Sequence, residues 1–191
     1  MRTTLPMLLI CLLASVPVAW AEGEPPAAAV GPQENPFTAH HRGVYHVVQK
    51  ILLRAAEKMP EEGYGFQPTE AVRSFGGILG HVADSQYYFC SVALGEENPA
   101  PKIEKSRTSK AELIAALGEA FTYCDRAYDG MTDASGADLV VLMGGDTPQL
   151  GVLGINHMHL MEHYGNLVTY LRMKDIVPPT SEPEFMATVN E

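Results

Sequence analysis

The sequence predicts an all-α protein, a four-helix bundle, and three observations carry that prediction. Four segments repeat apolar residues at spacings of three and four, which places each set on a single helical stripe. The connections between them contain no convincing strand. The chain that follows an expected N-terminal targeting segment holds about 170 residues, enough for one domain with a substantial core. Elements that each bury one stripe must pack on one another, and four of them make a bundle.

The N-terminus reads as a targeting segment rather than part of the fold. Arg2 supplies a positive charge, Leu5 to Val18 is largely apolar, and Ala19-Trp20-Ala21 puts small residues where a signal peptidase reads. The apolar run is short against the roughly 17–25 residues of a membrane span. Residues 1–21 are therefore expected to be a signal peptide and the protein to be exported, to the periplasm, with secretion or N-terminal anchoring as alternatives. Residues 22–35, rich in Gly, Pro and Ala, form a loose leader. The helical domain is expected over 36–180 and a tail over 181–191. The mature chain is expected to contain no integral membrane segment.

The first helix is expected from Phe37 to Glu57, where Phe37, Val44, Val47, Val48, Ile51, Leu52 and Ala55 give the stripe and Pro60 ends it. The second runs from about Ser74 to just before Gly95, with Phe75, Ile78, Leu79, Val82 and Phe89 on its buried side. Gly76, Gly77 and Gly80 each lower helix propensity by roughly 1 kcal/mol relative to alanine. Packing must compensate, and small residues here let a neighbouring backbone approach closely. The third helix has the clearest start, because Ser109-Lys110-Ala111-Glu112 is a capping box. Val140 to Met143 suggests a short extended piece that Gly144-Gly145-Asp146 interrupts. The fourth helix, about Gly151 to Met173, is the longest, and Pro178-Pro179 stops the chain beyond it.

Thirteen Lys and Arg stand against 23 Asp and Glu, a formal charge of −10. This acidity argues against nucleic acid as a partner, since such binding needs cations to neutralise phosphates. Cys90 and Cys124 remain after the leader. Export permits a disulfide between them, while their placement on buried helix faces suits free thiols equally. No Cys-x-x-Cys motif is present.

The fourth helix carries the chemistry. Asn156, His159, His163, Asn166 and Tyr170 recur at spacings of three and four, so they share one face of an otherwise apolar helix. Buried polar groups need partners. His159 and His163, one turn apart, can both reach one divalent ion, or they can be core histidines satisfied by hydrogen bonds. The zinc-protease motif is absent, because Leu160 follows His159 where a glutamate is required. His81, beside the buried stripe of the second helix, is the best third ligand. His40, His41 and His46 begin the first helix and are less persuasive. His157 lies roughly opposite His159 around the helix and is a poor co-ligand.

Arg73-Ser74-Phe75, the run Ile78-Leu79-Gly80-His81-Val82-Ala83-Asp84, the segment His159 to Arg172 and Ile176-Val177-Pro178-Pro179 together resemble the DinB-like (DinB/YfiT-like) superfamily of metalloenzymes over about residues 36–180. The resemblance implies a four-helix bundle with an uncommon connection order, often dimeric, so a homodimer is expected. It also implies a site with one histidine from the second helix and two from the fourth. Carried onto this chain, these are His81, His159 and His163. The sequence departs from the family in reading His163-Tyr164-Gly165-Asn166, where relatives commonly have glutamine at the last position. Gly77 also stands where many relatives carry a carboxylate.

The expected cofactor is a divalent transition metal, zinc or nickel. The expected activity is metal-assisted hydrolysis or transfer on an unknown small-molecule substrate. Relatives that use cytosolic thiols fit poorly with export. The alternative is a non-catalytic metal-binding or structural domain. Asp84, Glu162, Asn166, Tyr164 and Tyr170 are possible assistants, and none is singled out as a catalytic base.

Overall fold

The computed structural model describes residues 34–189. The expected signal peptide, and all but the last two residues of the expected leader, lie outside the described residues. Four long helices form the bundle: α1 (Pro36–Lys58), α2 (Phe75–Leu94), α4 (Lys110–Gly130) and α5 (Gln149–Met173). A single turn, α3 (Ile103–Ser106), interrupts the connection from α2 to α4. The strands β1 (Leu139–Leu142) and β2 (Gly145–Pro148) precede α5, and a short helix, α6 (Pro183–Val189), follows it.

The caps explain where the long helices begin and end. Ser74 accepts from the backbone N–H of Gly77, and Gly95 ends α2 at φ 68°, a left-handed conformation that glycine adopts without steric cost. Ser109 and Glu112 form the expected capping box. The start of α1 is capped from far along the chain: Asp133 accepts from the backbone N–H of Thr38 at 2.8 Å and of Phe37 at 3.2 Å.

Helices α2 and α1 each pack on both α4 and α5, so the two consecutive helices α1 and α2 lie on a diagonal of the bundle. This order puts α2 directly against α5, the pair that carries the histidines. The core between them includes Leu52, Phe75, Leu79, Leu117, Phe121, Leu160 and Leu167, all at or near full burial. Cys90 of α2 and Cys124 of α4 are paired as a disulfide, with Cα atoms 5.3 Å apart. The geometry therefore decides between the bridge and the free thiols that the sequence left open.

The segment around Gly144 differs from the sequence expectation. The glycines do not end an isolated extended piece; they close an antiparallel hairpin in which Leu142 faces Gly145 and Leu139 faces Pro148. Met143 and Gly144, at φ 51° and 85°, supply the left-handed turn that matches strand twist in two-residue hairpins. The chain after Pro178-Pro179 is likewise structured. Thr180 hydrogen-bonds Tyr164, Lys58 and Arg54 pair with Glu182, and Arg54 lies over the ring of Phe185. No helix among the described residues is long and apolar enough to cross a membrane.

Candidate metal centre

The packing of α2 on α5 brings His81, His159 and His163 together through their Nε2 atoms. His159 Nε2 is 3.0 Å from His81 Nε2 and 3.1 Å from His163 Nε2. One potential ligand atom from each residue lies within 4.8 Å of the other two. Atoms bound at 2.0–2.1 Å to a common ion stand about 2.9 Å apart at right angles and about 3.4 Å apart at the tetrahedral angle. The two short separations fall between those values.

Hydrogen bonding alone satisfies this cluster poorly. A neutral imidazole has one N–H and one acceptor nitrogen. His159 Nε2 faces two other Nε2 atoms, with Ser85 Oγ at 3.4 Å, and can pair well with only one neighbour. The Nδ1 atoms of His159 and His163 are buried without a protein partner. Burial, followed by the neighbouring imidazoles, pushes the His159 and His163 pKa values down to about 4. His81 is also lowered, by burial and then by Arg73, against the opposing pull of Glu104. All three rings are therefore neutral at pH 7 and offer lone pairs. Three neutral, convergent imidazoles suit a borderline cation such as zinc or nickel.

His81 is oriented by a residue that sequence reasoning missed. Glu104 Oε2 lies 3.5 Å from His81 Nδ1, and its other oxygen accepts from Arg73 Nε at 2.9 Å. With Nδ1 turned to this carboxylate, Nε2 points to the other histidines. Two features bring Glu104 there. Asp84 accepts from the backbone N–H groups of Ile103 and Glu104 at 2.7 and 2.9 Å and so caps α3. Gly80 leaves room for it, since a Cβ at that position would lie 2.7 Å from Glu104 Cα. The expectation that glycines in α2 admit a neighbouring backbone holds here. The sequence signal for Glu104 was faint, because it lies in a charged connection between helices.

The remaining polar residues of the α5 face divide among different tasks. Asn156 is fully buried in an amide pair with Gln86, accepting at 2.8 Å and donating at 3.3 Å, and it also donates to the Tyr128 hydroxyl. Asn166 lines an open cleft of about 570 Å3 together with Arg73, Ile78, Glu162, His163 and Tyr170. The Tyr170 hydroxyl donates to the Arg73 carbonyl at 2.9 Å. The Tyr164 hydroxyl is tied to Thr180 instead. A second cleft, about 390 Å3, opens on His81 and His159 and is bordered by Asp84, Ser85 and Met143. The triad thus lies between two openings.

The other histidines stay apart from the triad. His157 stacks on His41 with ring centroids 5.3 Å apart and packs against Tyr45 and Tyr128. Burial and then His41 push its pKa down to about 4. His46 reaches Asp129 at 3.5 Å.

The family model described as the DinB superfamily matches residues 45–167. A crystal structure of a DinB-like protein from Bacillus cereus superposes with a TM-score of 0.63 at 16% identity, covering 75% of this chain and 93% of that one. At this identity the likeness concerns the fold. No curated protein matches the sequence.

Proposed function

The chain belongs to the DinB superfamily, and on that premise we propose that His81, His159 and His163 hold one divalent transition-metal ion, zinc or nickel, in an exported protein that performs metal-assisted hydrolysis or group transfer on a small molecule. The observation that carries the reading is the meeting of three Nε2 atoms from two helices, with the pair of contacts at 3.0 and 3.1 Å. A centre held by three protein ligands and reached from open clefts has the form of a catalytic rather than a closed structural site. When bound there, such an ion supplies Lewis acidity and lowers the pKa of a bound water.

The chain's own residues define what surrounds that chemistry. Glu104 faces His81 Nδ1 and favours the tautomer that leaves Nε2 as the ligand atom. Arg73 keeps Glu104 in place, and Tyr170 keeps Arg73 in place. Glu162 and Asn166 line the cleft beside His163, and either can accept a hydrogen bond from a substrate or water. Asp84, a possible direct assistant in the sequence reading, is committed to the backbone of α3.

The disulfide supports the export reading, because such bonds persist in oxidising compartments and are rare in the cytosol. It also favours hydrolysis or transfer over reactions that consume a reduced cytosolic thiol. Two experiments test the proposal. Metal-loaded protein is assayed on ester, amide and thiol-transfer panels beside a His159→Ala/His163→Ala variant; turnover by the wild type alone supports catalysis, and metal binding without turnover supports the non-catalytic alternative. Fractionation of expressing cells should find a processed chain outside the cytoplasm. A full-length cytoplasmic product retaining residues 1–21 would contradict export.

A further inference from the structure

We propose that the cleft beside His163 is a subsite for a substrate carboxylate, received by the guanidinium of Arg73 and the side-chain amide of Asn166. This inference rests on the metal reading above and names the class of substrate for the same site.

Arg73 is held in a way that leaves one edge free for a ligand. Its backbone carbonyl accepts from the Tyr170 hydroxyl at 2.9 Å, and its Nε donates to Glu104 at 2.9 Å. The main chain and the inner edge of the guanidinium are therefore both fixed. Among the described residues the two Nη groups have no hydrogen-bond partner, and the side chain is 44% exposed where it lines the cleft with His163 and Asn166. A guanidinium fixed in this manner presents a planar fork, the geometry that matches a carboxylate through two parallel hydrogen bonds. Asn166, one turn beyond Glu162, adds an amide that can donate to the same anion.

Charge points in the same direction. A dication on three neutral imidazoles keeps its whole charge, because its ligands supply none. Arg73 and Glu104 offset one another as a pair. Glu162, exposed on the cleft wall, offsets the remainder only in part because water screens it. An anionic ligand would offset the surplus positive charge. A single negative charge suits the cleft better than a dianion, since one arginine and one amide face it, no lysine lines it, and Glu162 opposes further negative charge. Val72 and Ile78 give the same cleft an apolar wall, which suits a short aliphatic chain attached to the carboxylate.

Cobalt(II) substitution of the full chain tests this, because the visible absorption of cobalt responds to ligands entering beside it. Cobalt affinity is measured first for the wild type, Arg73→Gln, Arg73→Lys and Asn166→Ala, since Arg73 also steadies Glu104. Each protein, saturated with cobalt, is then titrated with propionate and, separately, with inorganic phosphate. Propionate is expected to shift the wild-type spectrum and to bind more tightly than phosphate. Arg73→Gln should weaken propionate by about 10–100-fold, the range for losing hydrogen bonds to a charged group. Arg73→Lys should fall between, having charge without the fork, and Asn166→Ala should cost less than Arg73→Gln. Equal propionate affinity in the wild type and Arg73→Gln overturns the carboxylate subsite while leaving the metal reading intact. Preference for phosphate overturns the assignment to carboxylates. Failure of the wild type to bind cobalt overturns both readings together.

Discussion

Replacing Glu104 with glutamine perturbs the carboxylate that faces His81, a proposed metal ligand, from outside the triad. Glutamine keeps the length and an acceptor oxygen, and it removes the negative charge that faces His81 Nδ1 and Arg73 Nε. Loss of such an outer partner typically costs 10–100-fold in metal affinity. The His81 contact is long at 3.5 Å, so the lower end applies: about tenfold, or about 1.4 kcal/mol. Gly80→Ala reaches the same contact by a different route. Its Cβ would lie 2.7 Å from Glu104 Cα, so the α3 backbone must move away and carry the carboxylate with it. Alanine also raises helix propensity by roughly 1 kcal/mol, which offsets part of the packing cost. Gly80→Ala should thus weaken metal binding at least as much as Glu104→Gln, with a smaller change in thermal stability than a clash alone would cause. Competition against a chelator of known zinc affinity measures both variants. Unchanged zinc affinity in Glu104→Gln would refute the orienting role.

Other consequences concern redox state, protons and the buried amides. The Cys90–Cys124 bridge closes a loop with a sequence separation of 34, which corresponds to roughly 4 kcal/mol of chain entropy. Reduction, or a double alanine variant, should lower the melting temperature by roughly 8–16 °C; an unchanged melting curve would deny the bridge a stabilising role. With the His159 and His163 pKa values at about 4 and His81 also lowered, zinc uptake at pH 6 should release less than one proton per chain, against roughly two from three ordinary imidazoles. The sign for the metal-free protein follows from the same lowering: the unfolded chain binds more protons between pH 6.5 and 4, so stability is full above pH 6.5 and declines as pH falls through that window. Chemical denaturation at pH 7 and pH 5 measures this, and equal stability at the two values would contradict it. Asn156→Leu should destabilise the fold by roughly 2–3 kcal/mol, since it leaves the buried Gln86 amide without its partner and removes the donor to the Tyr128 hydroxyl; a denaturation midpoint matching the wild type would count against that network.

The features legible in the sequence are those written in local patterns. The capping box at Ser109 and Glu112, the apolar stripes and the i, i+4 spacing of His159 and His163 depend on helix geometry alone. His81 is legible from its place in the second helix together with the family resemblance, and the structure sets its Nε2 beside that of His159. What remained hidden depends on contacts between distant segments. Glu104 meets His81 only because Asp84 captures the backbone of α3 and Gly80 makes room. The α5 polar face looked like one ladder, yet Asn156 belongs to a core network and Tyr170 to an arginine clamp, because each residue faces a different neighbour along the helix. The hairpin around Gly144 was obscured because a glycine turn reads locally as an interruption, and only strand pairing turns it into a connection.

Metal stoichiometry tests most directly whether His81, His159 and His163 hold an ion. Wild-type protein and the His159→Ala/His163→Ala variant are stripped, loaded with zinc or nickel under identical conditions, desalted and analysed for bound metal. About one ion per wild-type chain and almost none in the folded variant is the expected result. Near-zero metal in both proteins, or equal loading of both, would contradict it.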